Sequence, residues 1–435
     1  MRISIWMLAL IQGLVFLASA SSAQQRPGVS GASSDTLVIS RKQAIALALR
    51  ANPQVDIARE QTLQVRAQRV QRIAIPDPVL TGFLDSLTSI RHAGSAPQRP
   101  VALSGSIPFP DKLRLRNRVG NANIDASESA LVLLQQQLAA QTGRLYDSVL
   151  VVHLHRRDLT QSRELAAEFL QRTESRFNAG SVPRLDVIKA QVDLAQADND
   201  LIGSRRDVAN ADAALNRVLG RMLGAAITTS DSLDVPFVLP PLDAIEDAAL
   251  RTRPELRAIE AQQRGAKATS ALVREEAFLP DVLYGAGKDE AVPTGVVYSV
   301  GLSLPIPVFF WQHTHGEFAE THHRELELHA TNRDARAAVA QDVRVAFATA
   351  DAARRQVVFI RDQLLPSARE AYRISSISYS LGGLSALEVL DARRTLLSAQ
   401  SQYADALAAA NSSRSDLERS AGTPLTSLVA GAPRE

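Results

Sequence analysis

Glu388 and Asp391 stand three residues apart in the segment LEVLDA, so a helix there would carry both carboxylates on one face. Acids in a helix's first turns complement its dipole, and they also attract cations. A second group is richer in donors. His313, His315, His322, His323 and His329 crowd one segment and leave only three of the eight histidines for the rest of the chain. The steps from His315 to His322 and from His322 to His329 each cover about two helical turns. That is too long for one chelate unless Glu325 or a second chain supplies a ligand. His315, His322 and His323 are therefore candidate metal ligands, while the interleaved Glu and Arg residues equally suit a solvated helix face. The sequence has no HExxH, GxSxG or P-loop pattern. SGSIPFP is expected not to act as a phosphate loop, because Pro108 and Pro110 continue an extended segment instead of opening a helix with free amides. Neither enzyme activity nor a cofactor is expected.

The elements that carry these groups are duplicated. FNAGSVPRLDVIKAQ from Phe177 and YSLGGLSALEVLDAR from Tyr379 match without a gap at a separation of about 202 residues, too long for a solenoid repeat. Gly180 pairs with Gly382, Leu185 with Leu387, Asp186 with Glu388 and Ala190 with Ala392. Upstream, SRKQAIALALRANPQV is echoed by LDAIEDAALRTRPELR. Pro53 and Pro254 mark where a short helix ends and a longer one begins. The chain divides into a signal peptide (1–23), an N-terminal extension (24–40), a first repeat (41–220), a linker (221–240), a second repeat (241–422) and a tail (423–435).

The N-terminus reads as an export signal. Arg2 precedes an apolar run from Ile5 to Leu17, followed by small residues with Ala20 and Ala23 as candidate cleavage points. The chain contains no cysteine, which excludes disulfides, thiolate metal sites and a lipid-modified N-terminal Cys. Its formal charge of +2 is dispersed, with no basic block for nucleic acid. After the signal, no apolar stretch approaches the ~18 residues of a membrane-spanning helix, so any crossing of a bilayer must use strands.

Four segments have that character, at about 78–88, 99–108, 280–289 and 295–305. In the last, Val296, Tyr298, Val300, Leu302 and Leu304 alternate with Val297, Ser299, Gly301 and Ser303. Strands of about 9 to 11 residues cross an outer membrane at a tilt. The same segments also suit a soluble hairpin packed on helices. Between them lie very long helices. Leu113 to Phe177 is free of proline and would extend roughly 95 to 100 Å, whereas Gln312 to Tyr379 is interrupted by Pro366. On the returning helices, Leu185, Ile188, Val192 and Ala195 step by three and four, and Val208, Ala211, Leu215, Val218 and Met222 resume the step after a phase change near Ile202. The expected fold class is mainly α with a transmembrane β portion, built from a duplicated helix, strand, strand, long helix, helix unit.

RFNAGSVPRLDVIKAQ, LEVLDARRTLLSAQSQY, SGSIPFPDK and VGLSLPIPVFF, together with the repeat, resemble the outer-membrane efflux proteins of the TolC family over nearly all of the mature sequence. IPDPVL is similar to the heavy-metal and cation exporters' branch. The resemblance implies a homotrimer in the outer membrane, with four strands per subunit closing a 12-stranded β-barrel above a periplasmic α-barrel. It also implies a periplasmic adaptor and an inner-membrane transporter as partners, with the chain serving as a passive exit duct. Glu388 and Asp391 match the family's acidic positions at the constricted tip, where six carboxylates would favour cations and, by mutual repulsion, titrate upward. Lys189, equivalent to Asp391, implies that only the second repeat forms this ring. Asn178, Gly180, Ser181 and Val182 in one turn, and Ser380, Gly382, Gly383 and Leu384 in the other, would dock the adaptor and gate the tip. A conduit for polypeptide secretion has the same fold and stays open as a reading. A soluble periplasmic coiled-coil scaffold would need a lipoyl-like or β-barrel module, which the sequence lacks.

Overall fold

A computed structural model describes residues 37–82, 101–231, 238–291, 295–306 and 310–430. The expected signal peptide and the outer parts of the first two strand segments, 83–88 and 99–100, lie outside them.

Strand β1 (Leu37–Ile39) leads into α1 (Arg41–Ala51). Ser40 caps this helix reciprocally: its hydroxyl accepts the Gln43 amide at 3.3 Å, while Gln43 Oε1 accepts the Ser40 amide at 2.9 Å. Pro53 then opens α2 (Pro53–Ile73), where a first-turn residue needs no amide. Asn52 secures the corner by accepting the Gln54 amide at 2.9 Å and donating its own to Val218 O at 3.0 Å. Two strands follow, β2 (Val79–Gly82) and β3 (Val101–Ile107), then α3 (Pro110–Asn178) and α4 (Arg184–Val218). At 69 residues, α3 is about 100 Å long. Pro110 occupies the first turn of α3, contrary to the expectation that it continues the extended segment. Its fixed φ suits a helix start, and β3 has already ended at Ile107.

Strand β4 (Ile227–Thr229) pairs with β1 in parallel and staples the linker to the end of the N-terminal extension, a contact that no sequence pattern foretold. The second repeat runs α5 (Leu242–Thr252), α6 (Pro254–Phe278), β5 (Val282–Ala291), β6 (Gly295–Ser303) and α7 (Phe310–Phe359). The interruption expected at Pro366 takes the form of one π-helical turn, Ile360–Leu364, before α8 (Leu365–Ser380). The Leu365 amide reaches back to Ile360 O, and the widened turn lets the helix continue past a residue that has no amide to donate. The chain then reverses into α9 (Ala386–Ala421) and ends in the short α10 (Leu425–Ala430).

The strands of both repeats form one antiparallel sheet in the order β2-β3-β5-β6. Its central pairing sets Gly105 opposite Tyr284, and a Cβ at that glycine would come within 2.5 Å of the phenol oxygen. Val296, Tyr298, Val300 and Leu302 of β6 are all exposed. Among the described residues, β2 and β6 each have one unpaired edge.

The core repeats with the sequence. Ala44, Ala48, Leu138, Val149 and Leu215 are buried in one cluster, and Ile245, Ala249, Val339, Ala350 and Leu417 fill the equivalent positions of the other. The stripe of Leu185, Ile188, Val192 and Ala195 lies on the exposed side of α4. Val187, Ala190, Asp193 and Ala197 face inward instead, because small side chains let α4 approach α3 closely. Past Ile202 the expected face is buried at Val208, Leu215 and Val218, but Met222 is exposed. Among the described residues, no helix is long and apolar enough to cross a membrane.

Candidate functional site at the helical tip

Two helix reversals lie side by side, α3 into α4 and α8 into α9, and they share one hydrogen-bond pattern. Gly180 donates to Phe177 O at 2.8 Å and Ser181 to Arg176 O at 2.9 Å. Gly382 donates to Tyr379 O at 3.0 Å and Gly383 to Ser378 O at 2.9 Å. The two glycines have φ of 72° and 84°, the left-handed region that closes a helix C-terminus with least strain when no Cβ is present. Asn178 and Ser380 end the incoming helices, and both are exposed. Val182 and Leu384, both half-buried, lead into the outgoing helices.

Glu388 and Asp391 fall in the first two turns of α9, both exposed. Glu388 Oε2 accepts the Ser385 amide at 2.8 Å and its hydroxyl at 2.9 Å, completing a capping box. The Ser385 amide, then its hydroxyl, draw the Glu388 carboxyl below its ordinary range. Asp391 makes no side-chain ion pair among the described residues.

The histidines are not gathered. His315, His322, His323 and His329 are exposed along α7, with the His322 and His323 rings 5.7 Å apart. Among the described residues, no group of three or more His, Cys, Asp or Glu could hold a metal ion. Among the described residues, no third donor joins any two of His315, His322 and His323 in such a group. Helical geometry spreads their side chains along one rod instead of converging them.

Two residues that sequence reasoning passed over join the repeats. Tyr379, buried at 4 % exposure, packs its ring 5.2 Å from Phe169, and its hydroxyl lies 3.2 Å from Thr173 Oγ1. Arg176 covers the same ring at 4.5 Å and donates to Tyr379 O. Arg393 is buried on α9, donating to Ser162 O at 2.8 Å and to Ser162 Oγ at 2.9 Å on α3, and pairing with Asp193 on α4. The signal was present in the broken symmetry of the repeat: Tyr379 corresponds to Phe177, and Arg393 to Gln191.

The family model of outer membrane efflux proteins matches residues 44–221 and 246–423, once per repeat and together most of the chain. The chain belongs to the outer membrane efflux protein family. This outer-membrane efflux protein is a membrane channel component rather than an enzyme. It is 23% identical over 384 residues to the cobalt-zinc-cadmium resistance protein CzcC of Cupriavidus metallidurans, covering 87% of this chain and 89% of that one. It is 26% identical over 287 residues to the pyoverdine export outer membrane protein OpmQ of Pseudomonas aeruginosa, covering 64% of this chain and 60% of OpmQ. Among solved structures, the CusC channel superposes with a TM-score of 0.74 at 18% identity, covering 91% of this efflux protein and 96% of CusC. That likeness establishes a mainly α fold whose sheet is a portion of a β-barrel.

Proposed function

We propose that this chain is the outer-membrane exit duct of a tripartite efflux system, passively conducting divalent metal cations or small solutes to the exterior. The observation that carries this reading is the four-stranded sheet with exposed apolar residues and two unpaired edges, mounted on two hairpins of long helices. In lipid, unpaired strand edges are untenable, and closure by copies of the same chain removes them. Three copies related by cyclic symmetry give a 12-stranded barrel above a helical tube. The exposed stripe of Leu185, Ile188 and Val192 suits a face covered by a neighbour.

The tip turns, Asn178 to Val182 and Ser380 to Leu384, then meet a periplasmic adaptor, and an inner-membrane transporter supplies the energy. Glu388 and Asp391 from three subunits line the aperture. Ser385 keeps Glu388 ionised, which favours cations there. Similarity to a cobalt-zinc-cadmium resistance protein over most of both chains favours metal cations as the cargo.

Conductance in planar bilayers tests the reading. The purified protein is expected to give a low, cation-preferring conductance that loses its preference and rises in the Glu388→Ala, Asp391→Ala double variant. An unchanged ion preference in that variant would remove the two carboxylates from the aperture.

A further inference from the structure

Away from the tip, α4 and α9 both pack on α3 but part from each other beyond the Arg393 and Asp193 pair. The gap holds a cavity of about 890 Å³, within the range of sites that enclose a drug-sized molecule. Most of its lining is polar, but each helix adds an apolar side chain, Leu159 from α3, Ile202 from α4 and Leu397 from α9. One charge stands out among them. Asp158 on α3 is only 8 % exposed. Its carboxylate meets no hydrogen-bond donor among the described residues, and its ion-pair partner is Arg157 Nε at 3.9 Å, on a side chain lying mostly in solvent. Burial pushes the Asp158 carboxyl above its ordinary range, against the opposing fields of Arg157, His155 and Arg369.

The other charged groups of the lining are engaged or solvated. Asp207 accepts from Arg206 at 2.8 Å and Asp200 from Gln196 at 2.8 Å. His155 turns toward Ser401 O and Asp405, each at 3.5 Å. Arg394 lines the cavity from an exposed position, where water screens its charge. A largely buried carboxylate that keeps only a narrow contact with water is costly, and a cation placed against it offsets part of that cost. A metal ion does not fit, because the described residues nowhere gather three suitable donors.

We propose that this cavity between α3, α4 and α9 is a binding site for an amphipathic organic monocation. The body of the guest lies against Leu159, Ile202 and Leu397, and its positive charge lies against Asp158. This site is separate from the tip and does not depend on what the duct exports.

The test uses the full-length protein in lipid nanodiscs, titrated with ethidium and followed by fluorescence polarisation against empty nanodiscs. Saturable binding that is displaced by tetraphenylphosphonium is expected. Asp158→Asn is expected to weaken it at least ~10-fold, the effect of losing about 1.4 kcal/mol. Ile202→Trp, at an exposed position on the wall, is expected to weaken binding by crowding the apolar contact without replacing the carboxylate. Unchanged affinity in either variant, or a wild-type signal no greater than partition into empty nanodiscs, overturns the proposal. If Asp158→Asn does not fold, Ile202→Trp alone decides.

Discussion

Arg393 of α9 and Asp193 of α4 meet as a buried ion pair, with side chains 8% and 4% exposed, that ties the second repeat to the first close to the tip. Ser162 on α3 takes two further hydrogen bonds from the same guanidinium, so one side chain connects three helices. Among the described residues, Arg393 Nε and Asp193 Oδ2 nevertheless have no hydrogen-bond partner. Removing one member of such a pair leaves an uncompensated buried charge, at a cost of about 3–5 kcal/mol. Arg393→Ala is therefore expected to lower the thermal midpoint of the purified protein sharply. The double variant Arg393→Met, Asp193→Leu should recover most of the loss. Equal destabilisation by the single and double variants would show that the contact with Ser162, not the ion pair, holds the helices together.

Tyr379 provides a second tie, made mostly of packing. Its ring sits against Phe169 and beneath Arg176, so Tyr379→Ala should cost about 3–5 kcal/mol of stability. Tyr379→Phe should cost no more than about 1 kcal/mol. Thr173 keeps its own bond to Phe169 O at 2.8 Å when the phenol is lost. Thermal denaturation of the two variants side by side checks the ratio.

The tip glycines differ from glycines elsewhere. A Cβ at Gly180 would meet no atom within 4 Å, so the cost of Gly180→Ala comes from its φ of 72° alone, about 1–2 kcal/mol. Gly203, inside α4, is equally open but helical, and Gly203→Ala should stabilise by about 0.5–1 kcal/mol. Opposite signs for the two substitutions in a melting experiment are the expected result.

Glu388 should leave a signature in acid. Its carboxyl titrates below the ordinary value of 4.5 because the folded state donates two hydrogen bonds to the ionised form. The stabilisation it gives is therefore present above the unfolded value and is lost as pH falls through the lower, folded one. Glu388→Gln should flatten that limb of the stability profile between neutral pH and acid. A variant whose profile parallels the wild type would mean that the carboxylate contributes nothing to the cap.

The fold was largely legible because its signals are local and occur twice. Pro53 and Pro254 open helices, Gly180 and Gly382 close them, and alternation along Val296 to Leu302 marks a strand. What escaped notice depends on non-local packing. Nothing in the run Leu185, Ile188, Val192 says whether it faces its own chain, since periodicity locates an apolar face without naming its partner. Pro110 misled because a proline suits an extended segment and a helix start equally. Arg393 and Asp193 lie far apart in sequence, and only the packing of α4 and α9 on α3 brings them together. His315, His322, His323 and His329 are close in sequence, yet along one helix their side chains do not converge.

The mass of the assembled protein tests the central proposal most directly. Chemical crosslinking of the protein in membranes, followed by mass determination of the unboiled, detergent-solubilised complex, should give three times the mass of one chain, with no stable membrane-bound single copy. A monodisperse, water-soluble monomer would contradict the closed barrel and return the four strands to a soluble sheet.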